Sequence, residues 1–319
     1  MKKILITGAT GFIGKAVLQE LLKQKFNVSA AVRKLSPALP DAVTQVEIGD
    51  LSALPENISI LQNIDVVIHI AARAHIMHET QSNPLTEFRK VNTTATLNLA
   101  RQAAEAGVKR FIFISSIKVN GEKTQPGNPF KAEITMPPSD AYGLSKFEAE
   151  HGLMSLAQNT GMEVVIIRPP LVYGPGVKAN FLSMLKWVDK GVPLPLGAVY
   201  NQRSLVALDN LVNFICHCIN HPKASNEVFL IADGDDVSTT QLLQKVAQAL
   251  GKKAVLLPLP TGLMRFAASL IGKQSIASRL FDSLQVDSSK ARDLLGWQPV
   301  INMDEQLKIL ARFYKNCRL

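Results

Sequence analysis

The chain has 319 residues, 47% of them apolar, with 19 Gly, 17 Pro and a formal net charge of +9. That length fits one or two domains, and that composition excludes fibrous, collagen-like and disordered chains. The charge predicts an anionic ligand, but Lys and Arg are scattered and aromatic residues are only 6% of the chain. No basic arm or stacking platform for nucleic acid is therefore expected.

In chain order, residues 3–7 form a short apolar run, followed by glycines and a helical pattern over 15–24. Apolar runs recur at 28–32, 43–48, 65–72, 110–115 and 164–168, with helical spacing over 88–106 and 142–158. Continuous apolar strands separated by helices predict a parallel sheet covered on both faces. The predicted fold class is α/β: a doubly wound, Rossmann-type dinucleotide-binding domain over residues 1–168. From Pro169-Pro170 onward the pattern loosens, with Pro and Gly dense to residue 197. A helix is expected at 209–219, a strand-like run at 228–232, and a helix capped by Ser238. Residues 169–319 are thus expected to form a smaller substrate lobe, with part of 204–232 returning to the sheet.

No window reaches the 18 or so uninterrupted apolar residues that a membrane span needs. Residues 254–272 come nearest, but Pro258, Pro260 and Arg265 interrupt them, so they read as buried interior. Met1 to Ile6 imitates a signal peptide briefly, but Thr7, Gly8, Gly11 and Gly14 break the apolar stretch, so export is not expected. The three cysteines are too few for a disulfide framework. Cys216 and Cys218 flank His217 in an apolar stretch without further ligands nearby, so they read as buried side chains and no metal site is expected. A cytoplasmic location fits this usage.

Gly8-Ala9-Thr10-Gly11-Phe12-Ile13-Gly14 follows the first strand and opens the first helix. Glycines three apart permit a tight turn, close backbone approach to a diphosphate, and close packing of helix on strand. The residues of that turn, Gly8 and Thr10 to Gly14, are candidate cofactor contacts. An acid normally follows the second strand and accepts from the adenosine ribose of NAD. Here the strand ends Ala31-Val32-Arg33-Lys34. Arg33 can pair with a 2′-phosphate, favouring NADP over NAD, or the two cations simply solvate a strand end. Asp50 and Leu51 are candidate adenine contacts, or an ordinary Asp turn.

Tyr142 and Lys146 stand four apart on a predicted helix, hence on one face. Ser115-Ser116 ends a strand where parallel sheets hold ligands. A phenol needs a nearby ammonium to exchange a proton near neutrality, and a serine hydroxyl can hold the reacting oxygen in line. Ser116, Tyr142 and Lys146 are the candidate catalytic residues.

With these motifs, the chain resembles the extended short-chain dehydrogenases/reductases, the family of nucleotide-sugar epimerases, dehydratases and ketoreductases. The likeness runs in order through the glycine turn, His69-Ile70-Ala71-Ala72, Val91-Asn92-Thr93, Ser115-Ser116, Tyr142 and Lys146, and the segment from Arg168-Pro169-Pro170 to Gly176. It implies that Ser116 orients the substrate oxygen and that Tyr142 is the acid/base. Lys146 would also hold the nicotinamide ribose, while Ala71, Ala72 and Pro169 would line the cofactor; Asn92 would pack helices. It further implies that Asn180, Arg203 and Arg279 contact the diphosphate and nucleoside of a nucleotide-sugar substrate. Relatives carry Asn where this chain has Leu171.

Dehydratases of the family place Asp-Glu after the catalytic hydroxyl, where this chain has Ile117 and Lys118, so dehydration is not expected. Two reactions remain. The favoured one is NAD(P)H-dependent reduction of a UDP-linked 4-keto-N-acetylhexosamine for surface-polysaccharide synthesis. The alternative is a UDP-sugar 4-epimerase. Further off stand a reductase of an apolar alcohol, which the apolar residues 255–271 keep open, and a non-catalytic NADP-binding protein, against which Tyr142 and Lys146 count. The resemblance also implies a homodimer, paired through helices 88–106 and 142–158.

Overall fold

The computed structural model describes residues 1–55, 59–73, 83–134 and 136–317. Its first half alternates as β1 (Lys3–Thr7), α1 (Phe12–Lys23), β2 (Asn27–Val32), β3 (Thr44–Glu47), β4 (Val66–His69), α2 (Pro84–Phe88), α3 (Ala95–Glu105), β5 (Arg110–Ile114), α4 (Ala141–Thr160) and β6 (Glu163–Arg168). The second half holds β7 (Leu171–Tyr173), α5 (Ala179–Asp189), β8 (Leu205–Ala207), α6 (Leu208–Asn220), β9 (Glu227–Leu230), α7 (Thr239–Leu250), α8 (Thr261–Leu270), α9 (Gln274–Phe281), α10 (Ser289–Leu295) and α11 (Met303–Asn316).

Seven strands pair in the order β3-β2-β1-β4-β5-β6-β9, and every pairing is parallel. The two-residue period of a strand explains why the runs are apolar throughout. Ile4 and Ile6, Ile112 and Ile114, Val165 and Ile167 face one core with α1 and α6. Leu5, Phe111 and Phe113, Val164 and Ile166 face the other, with α3 and α4. β9 supplies the seventh strand from beyond the first lobe, whereas β8 pairs with β7 in a separate two-stranded sheet. The second lobe has its own core, in which Phe181 and Leu185 of α5 meet Leu243 and Val246 of α7 and Leu307 and Leu310 of α11. Ser238 caps α7 as expected, reciprocated by Gln241.

Two expectations need correction. The helix expected at 88–106 starts instead at Pro84 and is interrupted by a π-helical turn over Arg89–Thr94. The widened turn lets neighbouring residues reach the same partner: the Asn92 amide donates to Ser145 Oγ (3.1 Å) and Thr93 Oγ1 to the Ser145 carbonyl (2.8 Å). The second concerns residues 254–272, which are not interior. No residue of α8 is buried; of its side chains only Met264 packs on the lobe core, while Leu263, Phe266 and Leu270 face water. Apolar composition could not reveal this, because a helix on the rim of a lobe has one side without a neighbour. Among the described residues no helix is long and apolar enough to cross a membrane.

Candidate active site

At the carboxyl ends of β1, β4 and β5, where the strand order reverses between β1 and β4, a cleft of about 740 Å³ opens. Its floor is the glycine turn. Gly8 has φ +75°, and a Cβ there would sit 2.7 Å from the Ala71 nitrogen. A Cβ on Gly14 would lie 2.0 Å from the Gly8 carbonyl oxygen, so only glycine lets α1 start this close to β1. Gly11 caps α1 without any side-chain hydrogen bond, which leaves the first N–H groups and the positive helix end for an anion. Gly8, Thr10, Gly11, Phe12, Ile13 and Gly14 all line the cleft.

Arg33, Asp50 and Leu51 line the same cleft, beside the end of β2. Val32 is buried at the strand end and Arg33 is exposed. Asp50 accepts hydrogen bonds from the Ser52 N–H and hydroxyl, both 2.8 Å, and these hold its carboxyl below the usual range. On the opposite wall, Ala71 and Ala72 follow β4, and Pro169 follows β6. The Ala71 N–H donates to Thr7 Oγ1 (3.2 Å), and Thr7 in turn bonds His69 Nδ1 at 2.8 Å. His69 also contacts Thr96 Oγ1 at 3.0 Å, and burial drives its pKa down to about 3. It is a neutral strut beneath the wall rather than a proton carrier. Asn92 bonds both the N–H and the carbonyl of Arg73 (2.8 and 3.1 Å), fixing the next stretch of that wall. The glycine cradle, the uncapped helix end and a cation beside β2 together fit a nicotinamide dinucleotide.

Ser116, Tyr142 and Lys146 meet at the far end of the cleft. Ser116 caps a short 3₁₀ turn, Ile117–Val119, accepting from the Lys118 N–H at 3.2 Å. Asp140 caps α4 through the Gly143 N–H (2.8 Å), which places Tyr142 in the first helical turn. Gly143 allows the two to approach, since a Cβ there would stand 2.6 Å from the Lys118 carbonyl oxygen. The Tyr142 hydroxyl lies near that of Ser116, its ring packs edge-on against Phe88 at 5.8 Å, and burial pushes the phenol up to about 12. The Ser116 contact opposes that rise. Lys146 is fully enclosed. Its Nζ donates to the Ile114 carbonyl (2.9 Å) and lies 4.3 Å from the centre of the Phe113 ring. Burial lowers its pKa to about 7, with the Glu150 charge acting the other way.

Glu150, not singled out from sequence, is part of the support beneath this site. One turn beyond Lys146 on α4, it is buried and takes a forked pair from Arg168, Nε at 3.0 Å and Nη2 at 2.5 Å. Ser115 Oγ also donates to Glu150. Arg168 Nη1 adds the Asn120 side chain (3.1 Å) and the Ala132 carbonyl (2.8 Å). The available signal was a carboxylate four residues past the lysine, followed by an arginine at a strand end.

The three residues expected to meet the substrate diphosphate lie outside the cleft lining. Asn180 is exposed in the first turn of α5, and Arg279 is exposed on α9. Arg203 is half-buried, and its Nη1 donates to the Asp282 carbonyl (3.0 Å), just beyond α9. Cys216 and Cys218 are buried on α6, and burial raises the Cys216 thiol to about 12.

The chain is similar to known proteins over nearly its whole length. A UDP-glucose 4-epimerase of Vibrio cholerae is 50% identical over 315 residues, covering 98% of this chain and 95% of that relative. The N-acetyl-alpha-D-glucosaminyl-diphospho-ditrans,octacis-undecaprenol 4-epimerase of Escherichia coli O157:H7 is 28% identical, covering 90% and 89%. The crystal structure of a UDP-glucuronic acid 4-epimerase from Bacillus cereus in complex with NAD shares the fold, with a TM-score of 0.79, 23% identity and 98% and 99% coverage. With the model of the NAD dependent epimerase/dehydratase family matched across residues 4–232, the chain belongs to that family.

Proposed function

We propose that this protein is a UDP-sugar 4-epimerase that keeps its nicotinamide dinucleotide through the cycle, and that UDP-glucose and its 4-epimer are its first substrates to test. The observation that carries this is the 50% identity, over 98% of the chain, to a UDP-glucose 4-epimerase. The convergence of Ser116, Tyr142 and Lys146 on one cleft supports it. The 4-ketoreductase favoured from sequence alone rested on Arg33 and ranks second. Substrate-lobe residues Asn180, Arg203 and Arg279 remain the proposed contacts for the diphosphate and nucleoside, the two arginines by the charge-assisted bonds that guanidinium groups make to phosphate.

When bound, the oxidised dinucleotide supplies a positively charged hydride acceptor. The chain supplies the proton path. Tyr142 Oη accepts the proton of the sugar 4-hydroxyl and later returns it, while the Ser116 hydroxyl donates to the same sugar oxygen. A phenol pushed up to about 12 needs positive charge nearby to act as base. Lys146, whose pKa near 7 leaves it partly protonated at neutrality, provides one such charge. Gly11 and the start of α1 would hold the diphosphate, and Arg33 with Val32 would meet the adenosine end. Which dinucleotide is held depends on that last pair: Arg33 suits a 2′-phosphate, whereas the family is named for NAD.

The test is to denature purified protein, identify the released dinucleotide by mass spectrometry, and incubate intact enzyme with UDP-glucose without added reductant. NMR is expected to show inversion at C4 at catalytic turnover. Stoichiometric consumption of NADPH on a UDP-4-keto-sugar, with no inversion in its absence, would establish the reductase instead.

A further inference from the structure

Residues 237–281 carry six cations, Lys245, Lys252, Lys253, Arg265, Lys273 and Arg279, and no Asp or Glu. Two-thirds of the net charge of +9 thus comes from this one stretch. The same stretch exposes the apolar helix α8. Leu263, Phe266 and Leu270, at helical spacing, are 60%, 62% and 72% exposed, and Ile271 follows at 66%. Val255, Leu257 and Leu259 alternate outward just before the helix, again exposed. The segment is anchored: the Leu194 N–H donates to the Val255 carbonyl (2.9 Å) and the Leu257 N–H to the Leu194 carbonyl (2.8 Å). Behind it, Met264, Leu280 and Phe281 pack on the lobe core. The patch is a firm surface and none of it lines the active-site cleft.

An exposed apolar stripe within a stretch that contributes cations and no acid of its own marks an interaction surface, and the charge selects the partner. We propose that this face docks on an anionic lipid bilayer, with the Leu263–Phe266–Leu270 stripe among the lipid headgroups and Lys253 and Lys273 against their phosphates. An interfacial helix has this composition, with an apolar face for the acyl boundary and cations for anionic lipid. Some of the six cations serve the fold, as Lys252 pairs with Asp189 and Arg265 with Asp282. Lys253 and Lys273 are exposed at the two ends of the segment that carries the stripe. A second copy of the chain is a poorer occupant, because a two-fold contact would set this positive face against itself. The docking does not depend on the proposed reaction.

The experiment is co-sedimentation of the whole protein with vesicles of phosphatidylcholine alone or mixed with phosphatidylglycerol. Wild-type protein is expected to bind the mixed vesicles about tenfold or more tightly than the neutral ones, with binding weakened by salt. Leu263→Ser/Phe266→Ser should lose at least about tenfold of that binding. Lys253→Glu/Lys273→Glu should lose the preference for anionic lipid. All four positions face solvent, so melting temperature and solution turnover should stay unchanged. Wild-type protein left in the supernatant with anionic vesicles overturns the proposal, as does full binding by Leu263→Ser/Phe266→Ser. So does a change from dimer to monomer in that variant without any vesicle binding by the wild type, which would make the patch a contact between copies.

Discussion

Replacing Glu150 with Gln tests whether the buried pair beneath the site holds it together. Glu150→Gln keeps the shape but removes the charge from a pair in which both side chains are almost fully buried. It also turns one acceptor towards Arg168 into a donor. Leaving one member of a buried pair without its counter-charge costs about 3–5 kcal/mol. Arg168 keeps its Nη1 bonds to Asn120 and Ala132, so a loss near the lower end, about 3 kcal/mol, is expected. The assay is guanidinium denaturation of wild type, Glu150→Gln, Arg168→Met and the double variant. The double variant should lose clearly less than the sum of the singles, because each single strands a partner that the double removes. Titration supplies a second readout. Lys146 falls from 10.5 when unfolded to about 7 when folded, so the unfolded chain binds more protons between those values. This group therefore adds stability as pH rises through that window and penalises folding below it. Loss of the Glu150 charge should extend the window to lower pH. A loss under about 1 kcal/mol in Glu150→Gln with an unchanged denaturant slope, together with simple additivity in the double variant, would refute the reasoning.

Tyr142→Phe is expected to retain dinucleotide but to lower turnover by about 100-fold or more, the usual scale for an acid/base group; near-normal turnover in folded protein would remove Tyr142 from the mechanism. Gly143→Ala must separate α4 from the Ser116 turn, so turnover should fall by about 100-fold for a shift near 1 Å, while thermal melting shows a loss of about 1–3 kcal/mol. Arg33→Ala should reduce binding of NADPH and spare NADH, and Val32→Asp should favour NADH; titrations that show no difference would leave Arg33 a solvated strand end. Light scattering should show a homodimer at micromolar concentration, with a monomer ruling out pairing through α3 and α4.

The parallel sheet was legible because burial on both faces writes continuous apolar runs, and the glycine turn because its spacing is local. Tyr142 and Lys146 were legible for the same reason, being one helical turn apart. Glu150 and Arg168 are 18 residues apart, and only the packing of α4 on β6 brings them together, so the sequence shows each residue near the motif without showing that they pair. Asn92 reads as a packing residue, and it is one, but its bonds to Arg73 and Ser145 depend on a π-helical turn that period counting treats as ordinary helix. Gly143 was passed over inside the Tyr-Lys motif because its role is a contact with Lys118, reached through the fold. The exposure of α8 escaped for the opposite reason: composition records how apolar a segment is, and says nothing of whether neighbours cover it.

The position of β9 has a consequence for how the chain acquires its fold during synthesis. A nascent chain that has reached Arg168 holds six strands, and β6 is still an open edge with its backbone groups unpaired. The core over α1 is also incomplete, because it needs Leu211 and Phe214 of α6 and, much later, Trp297, whose indole N–H donates to Asn213 at 2.9 Å. The sheet therefore closes only once β9 has emerged, and the core over it only after nearly the whole chain has left the ribosome. Long-range closure of this kind slows folding and leaves a sticky intermediate exposed meanwhile. Cutting the chain between its two lobes should accordingly yield an aggregating fragment in place of a small dinucleotide-binding domain.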